Sequence, residues 1–143
     1  MEPTDTPTRP NGRNRQVALW GTAVVAAHTL LTTLHTIAHV QLDVFLNLWQ
    51  NAYVTVVIII GPIAAAVALW TKHQRAGAWG VLLTMTGALL FAGFFHFVHI
   101  SPDHVAHLPE GPGQRLFQIT AVAMALINTA AIPIGIWAIR RDR

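Results

Sequence analysis

Six of the eight histidines in this chain come in three close pairs: His35 and His39 in HTIAH, His96 and His99 in HFVH, and His104 and His107 in HVAH. Neutral imidazole is the commonest metal ligand, and residues three or four apart on a helix present their side chains on one side. One such pair arises by accident in many helices. Three pairs ending at the same membrane face, with Asp103 among them, form a pattern that metal chemistry would use. The chain has no cysteine, so thiolate ligands and thiol catalysis are excluded. The ions suited to imidazole and carboxylate donors are then copper, zinc or iron.

His28, His35 and His39 are separated by seven and four residues. At about 100° per residue they fall within roughly 40° of one another on a helix. A stripe of histidines facing lipid is costly, so the stripe should face the bundle interior. Depth supplies a second coincidence. With His28 at mid-membrane, His35 and His39 stand about 10 and 16 Å further out. On a second helix centred near Ala88, His96 and His99 stand about 12 and 16 Å out. The expectation is that His35 levels with His96 and His39 with His99. His104, His107 and Asp103 then close over the top.

Three functions fit this pattern. The first is a metal site at the outer face, formed by His35, His39, His96 and His99, with His104, His107 and Asp103 as lid or supporting groups and a role in binding, delivery or redox chemistry. The second is electron transfer through a b-type haem held axially by His35 and His96, with Ala92 and Gly93 leaving room for the macrocycle. The third is a cofactor-free accessory membrane protein. In it His39, His99, His104 and His107 are solvated interface residues, and His35 and His96 hydrogen-bond helices together. His28 reads as a packing or hydrogen-bonding residue, with Asn128 as its partner. A proton relay through His28, His35 and His39 would lack the membrane-embedded carboxylate that such relays employ.

The elements that must position these residues are membrane helices. Of 143 residues, 53% are hydrophobic and 10% are charged, against about 25% charged in a soluble domain. Mean hydropathy is +0.47. The fold expected is an all-α integral membrane four-helix bundle, with spans at about 17–40, 52–70, 78–100 and 114–139. Residues 1–16 read as a disordered tail and 140–143 as a basic one. RNRQVALWGTAVVAAH resembles a signal peptide, with Val25 and Ala27 at a small-residue cleavage site. The apolar run continues to Val40, however, as in a retained anchor.

Gly61-Pro62 predicts a kink in the second span, tolerated where a neighbouring helix satisfies the freed carbonyl. Gly80, Thr84, Ala88 and Ala92 recur every four residues, a small-residue stripe that lets another helix approach and leads to His96. Ser101-Pro102-Asp103 predicts the start of a short surface helix through Leu108.

Apart from Arg115, every Lys and Arg lies in the N-terminal tail, the 71–77 connection or the C-terminal tail. The positive-inside rule therefore places both termini in the cytoplasm and the 41–51 and 101–113 loops outside. Trp20, Trp70, Trp79 and Trp137 agree, each falling near the inner end of a span. The high pI, near 10.7, is thus a topology signal and does not indicate nucleic acid. The expected setting is a multi-pass protein of the cell membrane, in contact with lipid and with either a membrane-protein partner or a second copy of itself.

The histidine pairs differ from the boxes of membrane di-iron desaturases and hydroxylases, which include adjacent histidines. In architecture the chain resembles four-helix haem-b membrane oxidoreductases, although no specific motif carries that likeness. There is no Gly-rich phosphate loop, serine nucleophile context or carboxylate pair, and whether the chain catalyses a reaction is left open.

Overall fold

The computed structural model describes residues 12–141, which are helical apart from their connections and contain no strand. Helix α1 covers Gly12–Gln41. The second span is built from α2 (Leu48–Tyr53), a π-helical stretch (Val54–Ile60) and α3 (Gly61–Ala68). Helix α4 is Gln74–Phe97 and α5 is Gln114–Arg141. Four runs are long and apolar enough to cross a membrane: Arg15–Gln41, Leu48–Ala68, Gln74–Phe97 and Gln114–Arg141. The protein is a four-helix, multi-pass membrane-type bundle.

Several boundaries differ from expectation. α1 begins at Gly12, so residues 12–16 are helical and not part of a tail; residues 1–11 lie outside the described residues. The second span starts four residues early because Asn47 caps it. The Asn47 side chain accepts from Gln50 N–H and the Gln50 side chain accepts from Asn47 N–H, a reciprocal capping box.

The surface helix expected from Ser101 to Leu108 does not form. Ser101 Oγ accepts the Asp103 N–H, and two i→i+3 turns follow, His104 N–H to Ser101 O and His107 N–H to His104 O. Val105 N–H reaches back to the His96 carbonyl at 3.0 Å. A short isolated helix is marginal, and here tertiary hydrogen bonds draw the segment onto the end of α4 instead.

α5 packs along both α1 and α4, the second span packs along α4, and α1 meets α3 only lightly. In lipid the helices gain little from burying apolar surface against each other, so close packing decides the arrangement. At Gly77 a Cβ would stand 2.6 Å from Leu69 N and 2.8 Å from Ala65 O. No side chain fits there, and the two helices meet backbone to backbone. The stripe above it continues that contact, with Gly80 against Ala65 and Gly61 against Thr84.

The lower half of the bundle is an apolar core around Val25, Leu69, Val81, Met85, Ala131 and Ala138. A smaller apolar cap around Ala38, Leu42, Leu108, Phe117 and Ala121 closes the other end. Between them lie the buried polar residues His28, His35, His96, Asp103, Thr120 and Asn128. They form two layers at different depths.

Candidate functional site

The deeper layer centres on His28, which is only 1% exposed. Pro62 has no N–H, so the carbonyl four residues earlier, Ile58 O, loses its α-helical donor. His28 Nε2 lies 3.0 Å from that carbonyl and donates to it. The kink expected at Gly61-Pro62 takes the form of the π-helical stretch just before it, whose last bond runs from Gly61 N–H to Val56 O. On its other side His28 Nδ1 meets the Asn128 side-chain amide at 2.8 Å. With Nε2–H committed to Ile58, Nδ1 of a neutral ring accepts, and the amide presents its NH2 end by a half-turn. Both ring nitrogens of His28 thus have partners.

The upper layer is built by α1, α4, α5 and the turns after α4. α1 ends on Asp43, a non-glycine residue at φ 53°. Val44 N–H bonds His39 O and Asp43 N–H bonds Val40 O, the Schellman pattern of a left-handed helix cap. This reversal brings the Val44 carbonyl to 2.9 Å from His39 Nδ1. Gly113 lets the loop before α5 press on the same end: a Cβ there would stand 2.8 Å from Ala38 O.

Each of three rings is fixed through Nδ1. The Val44 carbonyl can only accept, so His39 donates to it from Nδ1. His96 Nδ1 likewise donates to the Asp103 backbone carbonyl at 3.0 Å. His35 Nδ1 lies 2.8 Å from Thr120 Oγ1, a hydroxyl whose own proton goes to Leu116 O at 2.6 Å; Thr120 therefore accepts from His35. A neutral imidazole has one N–H, so all three rings carry a bare lone pair at Nε2. Metal-binding histidines are held in this way, with the outer nitrogen donating to a fixed acceptor.

These Nε2 atoms converge. Those of His35 and His96 stand 3.2 Å apart. Two nitrogens bound tetrahedrally at 2.0–2.1 Å from one ion would stand about 3.3 Å apart. One ligand atom from each of His35, His39 and His96 falls within 4.8 Å of the other two. Phe117, fully buried, packs on all three rings at centroid distances of 4.3, 4.9 and 5.1 Å and holds their orientation.

Asp103 completes the layer. Its carboxyl is 7% exposed, with Oδ1 3.3 Å from His39 Nε2 and Oδ2 3.5 Å from His96 Nδ1. Neither oxygen has a hydrogen bond. His39 Nε2 has no proton to give, and the His96 Nδ1 proton points to the Asp103 main chain. Burial pushes the carboxyl up to about 7. Buried carboxyl oxygens without a hydrogen bond, beside ligand nitrogens of three histidines, are an arrangement that could hold a metal ion.

Of the histidines expected here, three do not enter the convergent group. α4 stops at Phe97, and His99 N–H turns back to Phe94 O at 2.7 Å. The His99 ring consequently stacks on Phe94, in a groove also lined by Val44 and Asp103. His104 and His107 pair with each other at 5.0 Å. They sit in turns and not on a surface helix, and are outside the group of three.

His35 and His96 do stand level. Their Nε2 separation is short of the roughly 4 Å that two axial ligands need across a haem iron, and the cavity beside them is about 60 Å³, too small for a macrocycle.

Thr120 and Phe117 were missed in the sequence. Phe117, Thr120, Met124 and Asn128 follow one another on a single stripe of α5, and that spacing was the available signal.

Comparison with protein-family models, curated proteins and solved structures finds no match.

Proposed function

We propose that this protein is a membrane metal-binding protein in which His35, His39 and His96 bind one transition-metal ion through Nε2, with Asp103 as the fourth donor. One observation carries the reading. Three rings held by their Nδ1 protons turn bare nitrogens onto one point, beside a buried carboxyl that has no hydrogen bond. Three imidazoles and a carboxylate suit zinc, copper(II) or iron(II). His99, in the groove that borders Asp103, and the His104–His107 pair lie outside this donor set and serve ion capture at the rim. The positive-inside pattern of Lys and Arg supports placing the site toward the outer face, with both termini cytoplasmic. The haem reading finds less support, since the rings are too close and the cavity too small.

The test is to load the detergent-purified chain with zinc, copper(II) or iron(II) and measure stoichiometry and X-ray absorption. The expected result is one ion per chain, with a nitrogen and oxygen shell near 2.0–2.1 Å and outer-shell scattering from three imidazoles. Folded protein that holds none of these ions would refute the proposal, and a Soret band with one iron per chain would replace it with the haem reading.

A further inference from the structure

Beneath the three Nε2 atoms lies a cavity of about 60 Å³ that runs inward between the polar layers. Its walls are largely apolar, formed by Val54, Ile58, Ala88, Phe91 and Met124, with the Thr32 and Thr36 side chains on the α1 side. At its far end His28 and Asn128 are committed to each other and to Ile58. Thr32 Oγ1 lies between the His28 ring and the Met124 sulfur. A buried water needs two to four polar partners; apart from the metal-ligand end the chamber offers Thr32 and Thr36, whose hydroxyl protons go to the Met124 sulfur and the Thr32 carbonyl, and the His28–Asn128 pair. Its size admits a small molecule, since about 10–15 Å³ of such space holds one water.

The chamber lies on a particular seam. Thr32 and Thr36 of α1 face Val54 and Ile58 of the second span across it, and Thr36 is exposed on the bundle surface. The same seam stays loose further down, where a groove of about 690 Å³ separates Val25 and Thr29 of α1 from Ile63 and Val67 of α3. Both openings lie along spans that face lipid. Uncharged apolar molecules concentrate in hydrocarbon, so lipid is the side from which such a molecule meets this seam.

We propose that the cavity is a ligand-binding chamber, in which an ion held by His35, His39, His96 and Asp103 takes an uncharged diatomic molecule that arrives from the bilayer between α1 and the second span. The inference rests on the metal-binding reading. Non-haem iron(II) keeps open positions beyond its protein ligands, and the cavity is the apolar space beside them.

The test uses the full chain in nanodiscs, loaded with iron(II) under argon and titrated with nitric oxide, with iron content measured on the same sample. The expected result is a half-integer-spin ferrous nitrosyl EPR signal in the wild type.

Val54→Phe, which fills the chamber, should retain iron and bind nitric oxide at least about tenfold more weakly, the steric loss expected when a packed site is overfilled. Thr36→Phe, at the exposed lip, should slow nitrosyl formation and leave iron in place, so the test survives if Val54→Phe does not fold. Iron-loaded wild type without a nitrosyl signal would overturn this proposal alone. So would unchanged nitric oxide binding in both variants. A chain that retains no iron would remove the metal-binding reading and this inference with it.

Discussion

The two buried polar layers use the same residue type and end in opposite electrostatic states. Around His28 both ring nitrogens have partners: Nε2–H serves the carbonyl orphaned by Pro62, and Nδ1 meets the Asn128 amide. Around His35, His39 and His96 each Nδ1 has an acceptor, the Nε2 atoms of His35 and His96 lie 3.2 Å apart, and neither carboxyl oxygen of Asp103 has a hydrogen bond. A satisfied buried histidine ties helices together. A buried group left with only acceptors turned inward is a site for a cation, because unpaired buried polar atoms are otherwise expensive. Histidine content alone could not separate these roles; the hydrogen bonds on the second ring nitrogen do.

This contrast can be broken by removing members of each layer. The largest effect is expected for His96→Ala, which deletes the donor shared by the His35 and Asp103 sides of the upper layer. Metal affinity measured by competition with a chelator should fall well beyond about 100-fold, the upper range for loss of a merely supporting residue.

Thr120→Val removes the acceptor that fixes the His35 tautomer without touching the ion, and should weaken binding by about 10–100-fold. The same titration on Thr120→Ser, which keeps the hydroxyl, should restore most of the affinity.

His28→Ala should act on stability instead. It strands Ile58 O and Asn128, at about 1–3 kcal/mol for an unsatisfied buried group, read as reduced thermal stability with metal content unchanged. Pro62→Ala returns an N–H for Ile58 O, so the double variant His28→Ala/Pro62→Ala should lose less than the single His28 change. Strict additivity of the two would contradict the pairing of His28 with the proline-freed carbonyl.

The smallest effect is expected at Asp43, whose left-handed conformation glycine adopts more readily. Asp43→Gly should stabilise by about 0.5 kcal/mol in chemical denaturation, with metal binding retained.

Much of this organisation was readable in the sequence. The four spans follow from composition and run length. The His28–Asn128 pair and the need to satisfy a carbonyl at Gly61-Pro62 were expected, because proline's missing donor is a local fact. The convergence of His35 with His96 followed from depth, since helical rise is constant.

What escaped depended on tertiary hydrogen bonds. Ser101-Pro102-Asp103 carries helix-start chemistry, yet the His96 carbonyl captures Val105 N–H and Ser101 closes a tight turn. His99 shares the HFVH spacing with His96, but α4 ends between them, and spacing has no meaning beyond a helix terminus. Thr120 and Phe117 are unremarkable residue types, and only their position opposite the histidines gives them a role.

The most direct test of the account is metal content per chain after exhaustive dialysis, compared between wild type, His28→Ala and His96→Ala purified in parallel. One ion per chain in wild type and in His28→Ala, with none in His96→Ala, is the predicted result. Loss of the ion from His28→Ala, with retention in His96→Ala, would reverse the roles assigned to the two layers and contradict the account.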